Sequence, residues 1–530
     1  MELLNLNITK HLPEITHDYI NNEKHVRCFF NRKNNLENYY DQILEKNNNY
    51  NNDFRKTLTD VLKLDYKNIS KNSNQLISIN KLEKNNAYTI TTGHQLNLLT
   101  GPLYFFYKII DTINICKDLK SKYPQNEFIP VYWMASEDHD FKEINHFMTN
   151  DVLFNWDVST RGTVGELKTG SLDKIFNQIT DFFGKNNSHS KNIIKLFKES
   201  YLNNEKLSDA TFNLVHSLFG KYGLLILNPD NVKLKKIICE DVIHEIKNQD
   251  CYKRVCETNK KINNLNIKPQ VNPREINLFY IKNNIRSRIE KYKSSYKVKE
   301  TDILFSEDEI LKEISNFPER FSPNVLLRPF YQEKILPNLA YVGGGSEIAY
   351  WLQLKSFFNY KALTFPILAV RSSVLLVSNK TLKKCKKLDI RISDLFLHNH
   401  ELSKFYLTKI SELKIDLTEL KKTIKGNFLK LHALSLKTDK SFLGALKAQE
   451  KKQLNGLDNL EKKLFRAQKK KHKEKLERLI LIKKELFPNN SLQERQINFS
   501  EFYKNYGQEF IDILIDNLNP FNNKFLVISL

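Results

Sequence analysis

No run of 18 apolar residues occurs in this 530-residue chain, so no segment reads as a membrane-spanning helix. The opening MELLNLNITKHLPEITHDYI has no basic head followed by an apolar block, and no secretory signal is expected. Cysteine is sparse: Cys28, Cys116, Cys239, Cys251, Cys256 and Cys385 never form a CxxC pair, which excludes the usual zinc and dithiol spacings. Free thiols in a reducing cytoplasm are the expectation, and with it a cytoplasmic location and no tightly bound metal. Glycine is scarce too, with 15 in the chain, so the few glycine-bearing turns stand out.

What is abundant is lysine, asparagine, isoleucine and phenylalanine. The formal charge of +22 suggests nucleic acid or acidic lipid. Such usage also follows a biased genome, and arginine, the better phosphate fork, is outnumbered by lysine. The charge therefore means little until it is located.

Residues 1–85 are Asn-rich and polar, with short helices expected near 34–46 and 53–65. AYTITTG (87–93) reads as a strand, GPLYFFYKIIDTINICKDLKSKY (101–123) as a helix, and FIPVYWMA (128–135) as a second strand. Pro130 lacks a donor and is expected near that strand's start or at an unpaired position. Strand, helix, strand with such apolar strands predicts a parallel βαβ unit, hence an α/β fold. The pattern loosens over 151–320, with helices near 171–184, 191–202, 207–221 and 231–247, a strand at 223–229, and short antiparallel strands within 276–299. It returns with a strand at NLAYVGGG (338–345), a helix over 346–358 and a strand at FPILAVR (365–371).

Residues 402–487 contain no proline and three glycines. Ile410, Leu413, Leu417, Leu420, Ile424, Phe428 and Leu431 step by three and four, as do Leu457, Leu460, Leu464 and Ala467, with KTDKS (437–441) between the runs. Two long helices folded as a coiled-coil hairpin are predicted, with Asp458/Lys462 and Glu474/Arg478 as i,i+4 pairs and Pro488 as the stop. This segment holds 23 Lys and Arg against 10 Asp and Glu, so +13 of the charge sits on it. A solvated helical face is the plain explanation, and a contact to a phosphate-bearing ligand or RNA is the alternative.

Parallel sheets bind ligands at the carboxyl ends of their strands, where helix N-termini offer free amides. TTGHQLNLLTGPLY (91–104) and ASEDHDF (135–141) both sit at such ends and together define a cleft. Gly93 allows close backbone approach; His94 can donate to a carboxylate or phosphate or carry a proton; Thr100, Gly101 and Pro102 can open a helix over an anion. Glu137, Asp138, His139 and Asp140 can bind an amine or alcohol and move a proton. A helix cap or a metal site is the alternative for them, but His139 and His146 lack the HExxH spacing. The Gly343–Gly345 run before a helix permits an anion-binding nest. Arg328 and Gln332, on an expected helix, can hold a carboxylate, and Arg371-Ser372-Ser373 ends another strand.

TGHQLNLLTGPLYFFYKII, PVYWMASEDHDFKEINH, SPNVLLRPFYQEKILPNLAYVGGGSEIAYWLQLK, LEKKLFRAQKKK and SLQERQIN together resemble the bacillithiol biosynthesis cysteine-adding enzymes of BshC type, in order from about residue 10 to the C-terminus. The match is looser over 150–300, where YGLLILNPDNVKLKK (222–236) carries it. The resemblance implies a Rossmann-like core related to class I aminoacyl-tRNA synthetases and nucleotidyltransferases. Its first part would be 1–150 and its second 321–395, with inserted connecting segments over 151–320. A coiled-coil hairpin would follow over 396–488, and a C-terminal segment, 489–530, would pack back on the core. It implies a homodimer through the coiled coil, and the small-molecule substrates cysteine and glucosaminyl malate, joined as an amide. A carboxylate does not acylate an amine unaided, so ATP, with Mg2+ as its companion ion, is the expected activator, through an adenylate or an acyl phosphate. Carried over, the first motif falls on Gly93, His94, Gln95, Thr100, Gly101 and Tyr104, the second on Glu137, Asp138, His139 and Asp140, and the third on Arg328, Gln332, Gly343, Gly344, Glu347, Tyr350 and Trp351. Many family members carry Gln at the position of His94 and Pro at that of Gly345. Rival readings are a synthetase-like amino-acid ligase or nucleotidyltransferase with another acceptor, a nucleic-acid-binding coiled-coil protein, and a dimerisation protein with a degenerate site. Nucleic acid and membrane are not expected partners.

Overall fold

The computed structural model describes residues 2–69, 73–184, 187–411, 416–435, 437 and 440–530. The chain divides into two compact units, Glu2–Leu375 with Gln493–Leu526, and Leu376–Leu492 with Val527–Leu530.

The first unit is built on a five-stranded parallel sheet. Strand β1 (Ala87–His94) leads through helix α1 (Tyr104–Lys122) to β2 (Glu127–Met134), and β3 is Leu225–Leu227, followed by helix α2 (Val232–Ile237). Helix α3 (Arg328–Ile335) precedes β4 (Asn338–Gly343), helix α4 (Gly345–Leu352) follows it, and β5 is Ile367–Val370. The spatial order is β3–β2–β1–β4–β5. Order therefore reverses between β1 and β4, the Rossmann arrangement with its crevice at the reversal. All eight residues of β1 are buried, because a central parallel strand is covered on both faces. Alternate residues divide between two cores: Ile129, Val131, Trp133 and Tyr341 enter one, and Tyr88, Ile90, Phe128 and Val342 the other. Ile115, Cys116 and Leu119 of α1 close the second core. Pro130 is not at the strand's start: it stands opposite Ile90 inside the ladder, and the β3 ladder begins only at Val131, so the missing donor falls just ahead of that pairing.

The stretch 151–320 therefore contributes β3 to the core sheet. It also forms an antiparallel sheet of Leu278–Lys282, Ile285–Tyr292, Ser295–Val298 and Leu304–Phe305, joined by Phe321–Pro323.

The second unit contains helices α5 (Asn399–Ile410), α6 (Thr418–Ser435), α7 (Lys440–Lys471) and α8 (Lys473–Leu486). Among the described residues the two long helices expected are thus four, with the second run broken at His472. Leu413 and residues 438 and 439 of the KTDKS turn lie outside the described residues. Helices α6 and α7 face each other: Lys421 reaches Asp458 at 2.7 Å and also pairs with Glu461, and Phe428 and Leu446 are buried. Asp458 therefore pairs across the hairpin rather than with Lys462, since a facing lysine competes with the i+4 neighbour; Glu474–Arg478 forms at 3.6 Å. Leu420, Leu429, Leu434 and Leu460 remain exposed. No helix among the described residues is long and apolar enough to cross a membrane.

Candidate functional site at the sheet reversal

The site forms where β1 and β4 end side by side. A Cβ on Gly93 would sit 3.3 Å from Tyr341 Oη and 3.6 Å from Arg328 Nη1, so glycine keeps the backbone close to both groups. The Gly93 carbonyl accepts from Lys108 Nζ, which comes from the buried face of α1. Lys108 also donates to both oxygens of Glu347, at 2.7 and 2.9 Å. Tyr341 Oη (2.6 Å) and the Gly344 amide (3.0 Å) complete that carboxylate's bonds. Burial works to raise the Glu347 pKa, but the Lys108 ammonium and these donors hold it down to about 2.

The glycine run does not make a nest. None of Gly343, Gly344 and Gly345 has positive φ, and the Gly344 amide is engaged by Glu347. Gly345 packs so tightly that a Cβ would lie 2.6 Å from a Leu12 methyl.

Arg328 Nη2 donates to Tyr350 Oη at 2.8 Å and Nη1 to Gln332 Oε1 at 3.0 Å. Gln332 is held in that sense because its own amide donates to Glu333, which also takes Asn338. Arg328 has no carboxylate in ion-pair range among the described residues, whereas Lys108 and Arg371 each have one. A partly exposed guanidinium with no carboxylate in ion-pair range among the described residues can receive a carboxylate or phosphate.

The Tyr104 ring stacks on His94 at 5.3 Å, and the Arg371 guanidinium lies 5.1 Å from its centre. Arg371 is fixed by Glu494 at 2.8 Å, a residue from the far end of the chain, and its amide donates to the Gly343 carbonyl. Ser372 donates twice to Asp111, whose carboxyl burial pushes up to about 7.

The second edge follows β2. Glu137 is buried against Lys235 of α2, which also donates to the Phe321 carbonyl at 3.0 Å. Asp138 accepts from Gln95 Nε2 at 2.7 Å and from the His139 amide at 2.7 Å. Burial would raise its pKa, but these bonds and the nearby Arg286 hold it far below the usual carboxylate range. His139 is half exposed and its Nδ1 lies 2.6 Å from Arg286 Nη1. Asp140 is exposed. Gln95 ties the two edges together, because its side chain leaves the end of β1 and bonds Asp138 beyond β2. At the end of β3, Asp230 lies 3.8 Å from Lys235, its pKa pushed up to about 6 by burial and by Glu137.

Not every predicted residue faces this cleft. Trp351 is fully buried against the Tyr341 ring. Thr100 and Gly101 do not cap α1, which begins at Tyr104; the Leu103 amide is taken by the Ile497 carbonyl instead. Their loop is strained, with φ of 45° at Leu99 and 69° at Thr100, and is held by Asn498, whose side-chain amide donates to the Leu99 and Gly101 carbonyls. Gly101, at φ 64°, would place a Cβ 2.8 Å from that of Asn97. Gly101→Ala should therefore cost about 1–3 kcal/mol, read as a lower urea midpoint.

Sequence reasoning missed Lys108, Lys235, Arg286, Asp230 and Glu494. Lys108 carried a legible signal, a lone cation inside the apolar helical run FFYKII. Lys235 within KLKK, and Arg286 in an alternating strand, did not. Among the described residues no three His, Cys, Asp or Glu side chains are grouped to hold a metal ion.

Comparison with known proteins adds to this geometry. A domain model described as "Bacillithiol biosynthesis BshC, N-terminal Rossmann-like domain" matches residues 1–372, and one described as "Bacillithiol biosynthesis BshC, C-terminal coiled-coil domain" matches 374–530. A protein of Flavobacterium psychrophilum named "Putative cysteine ligase BshC" is 50% identical over 513 residues, 97% of this chain and 96% of its own. Its namesake in Christiangramia forsetii is 46% identical over 525 residues, 98% and 97% of the two chains. That of Flavobacterium johnsoniae is 46% identical over 520 residues, 98% of each. A crystal structure described as a "putative arginyl t-RNA synthetase" from Campylobacter jejuni aligns over 88% of this chain and 98% of its own at 11% identity, with a TM-score of 0.22, too low to bear on the fold.

Proposed function

The chain belongs to the BshC family of bacillithiol biosynthesis, and on that premise we propose that it is a ligase joining the carboxyl of L-cysteine to the amine of glucosaminyl malate, after ATP-dependent activation of the carboxyl. One observation carries the reading: at the reversal point of the sheet Arg328 has no carboxylate in ion-pair range among the described residues, and Asp138, beyond the end of β2, is an acidic carboxylate bonded by Gln95 from the end of β1. An amide ligase needs both, an anion receptor for the carboxylate or phosphate and a carboxylate for the incoming ammonium.

In this reading Arg328 and the neighbouring Lys108 field hold the anionic partner. Asp138 anchors the ammonium of the amino sugar. Glu137 is committed to Lys235 and acts as a positioning residue for the β2 edge. Only the neutral amine attacks, so a proton must leave; Asp230, whose pKa lies near 6, and His139, once its bond to Arg286 opens, are the acceptors at that edge. The test is one assay: the purified chain with cysteine, glucosaminyl malate and ATP, read by mass spectrometry for the amide and for AMP against ADP. Amide with AMP identifies an adenylate route and amide with ADP an acyl phosphate. No amide with any activated donor would favour a ligase for another acceptor.

The same proposal includes a homodimer through the helical unit. The exposed Leu420, Leu429, Leu434 and Leu460 support it, since apolar residues repeated along a helix pair favour a further helix as cover. Light scattering should give twice the 62.5 kDa chain mass, and Leu429→Glu with Leu434→Glu should return the monomer.

A further inference from the structure

His94 ends β1, one residue beyond Gly93, and its two ring nitrogens have opposite surroundings. Nδ1 lies 2.7 Å from the backbone N–H of Gln95. A backbone amide only donates, so Nδ1 carries a lone pair and a neutral ring must carry its proton on Nε2. Nε2 is buried and has no hydrogen-bond partner among the described residues. A buried donor left unpaired is costly, so its retention asks for a ligand.

The surroundings keep the ring neutral and fixed. Tyr104 stacks on it at 5.3 Å and Phe105 packs at 5.0 Å. Burial lowers the ring's pKa first, Lys108 of α1 and Arg371 after β5 add to this, Glu347 of α4 opposes it, and the result is a value near 3. Arg328 of α3 adds a further cation beside Gly93.

We propose that His94 is a permanently neutral hydrogen-bond donor that holds an anionic oxygen of the substrate, carboxylate or phosphate, through Nε2–H, and that it transfers no proton. This rests on the reading above only in that an anionic substrate enters the cleft. The bond forms on binding and breaks on release, and the ring is unchanged throughout.

The first test needs no turnover. In protein labelled with ¹⁵N-histidine, the signal missing from His94→Gln identifies the ring. Its nitrogens should show the Nε2–H pattern and stay constant from about pH 5 to 9. An Nδ1–H pattern, or titration in that range, overturns the proposal. Addition of L-malate, and separately of ATP, should then shift the Nε2–H resonance. A response to malate alone identifies a carboxylate, a response to ATP alone a phosphate, and no response to either makes the ring structural and overturns the proposal. In the ligation assay His94→Phe, which keeps the stack without a donor, should lose about 100-fold in kcat/KM. His94→Gln, which restores an N–H of similar reach, should recover about tenfold of that loss, and equal loss in both counts against the proposal. If the wild type forms no amide, the ring spectra still decide the tautomer.

Discussion

Asp138→Asn is expected to lower kcat/KM for the amine substrate by about 10²–10⁴-fold while cysteine-dependent ATP consumption persists. The substitution keeps the shape of the side chain and removes its charge. In the native site Gln95 Nε2 and the His139 amide both donate to this carboxylate, and Arg286 stands nearby, so Asp138 stays ionised throughout the neutral range. A carboxylate this acidic is a poor base and a good anchor for an ammonium. Under the proposed reaction, the loss should therefore appear in the amine-dependent half and leave activation of the cysteine carboxyl alone. Circular dichroism should be unchanged, since Asp138 lies in a turn at the edge of the core. Amide formation at the wild-type rate in both Asp138→Asn and His139→Ala would remove this edge from the reaction and with it the assignment of the amine site.

Glu347→Gln should destabilise the α/β unit by about 3–5 kcal/mol. Lys108 is almost wholly buried and Glu347 is its carboxylate partner, so the variant leaves an ammonium in the core with only the Gly93 carbonyl and an amide. Lys108→Met should cost a similar amount by stranding the Glu347 charge, and the double variant should cost less than the sum, because each single change includes the penalty of the partner left behind. The pH dependence has a definite sign. Folding holds the Glu347 pKa at about 2, below its usual 4.5, so its contribution is present above pH 4.5 and is lost as the pH falls toward 2. Urea midpoints measured across that interval should fall in the wild type, and this component should be missing from Glu347→Gln. A variant with wild-type stability would mean that the pair is replaced by water at no cost, contrary to its burial.

Much of the α/β unit was legible because its strands are short apolar runs ended by polar segments, and that pattern reports burial directly. AYTITTGH, EFIPVYWM and NLAYVG became the central strands within a residue or two of expectation. Helix breaks were less legible. The chain at His472 carries the same lysine-rich composition as its flanks, and residues 468–475 hold neither proline nor glycine to mark a stop. The loop Leu98–Gly101 was misread as a helix opening, because its conformation is imposed by Asn498, about 400 residues away in the chain.

The sequence by itself determined the class of the fold, the strand ends that carry chemistry and the residue types gathered there, since each depends on local pattern. Only the tertiary structure decided which of these groups are free. Glu137 and Glu347 look in the sequence like carboxylates awaiting a substrate, yet Lys235 and Lys108 have taken them. Arg328 looks no different from any other arginine, yet no carboxylate among the described residues lies in ion-pair range of it. Charge pairing across a sheet depends on strand order, and strand order brings together residues hundreds of positions apart. A Coulombic partner at 3 Å has no signature in the sequence around either residue.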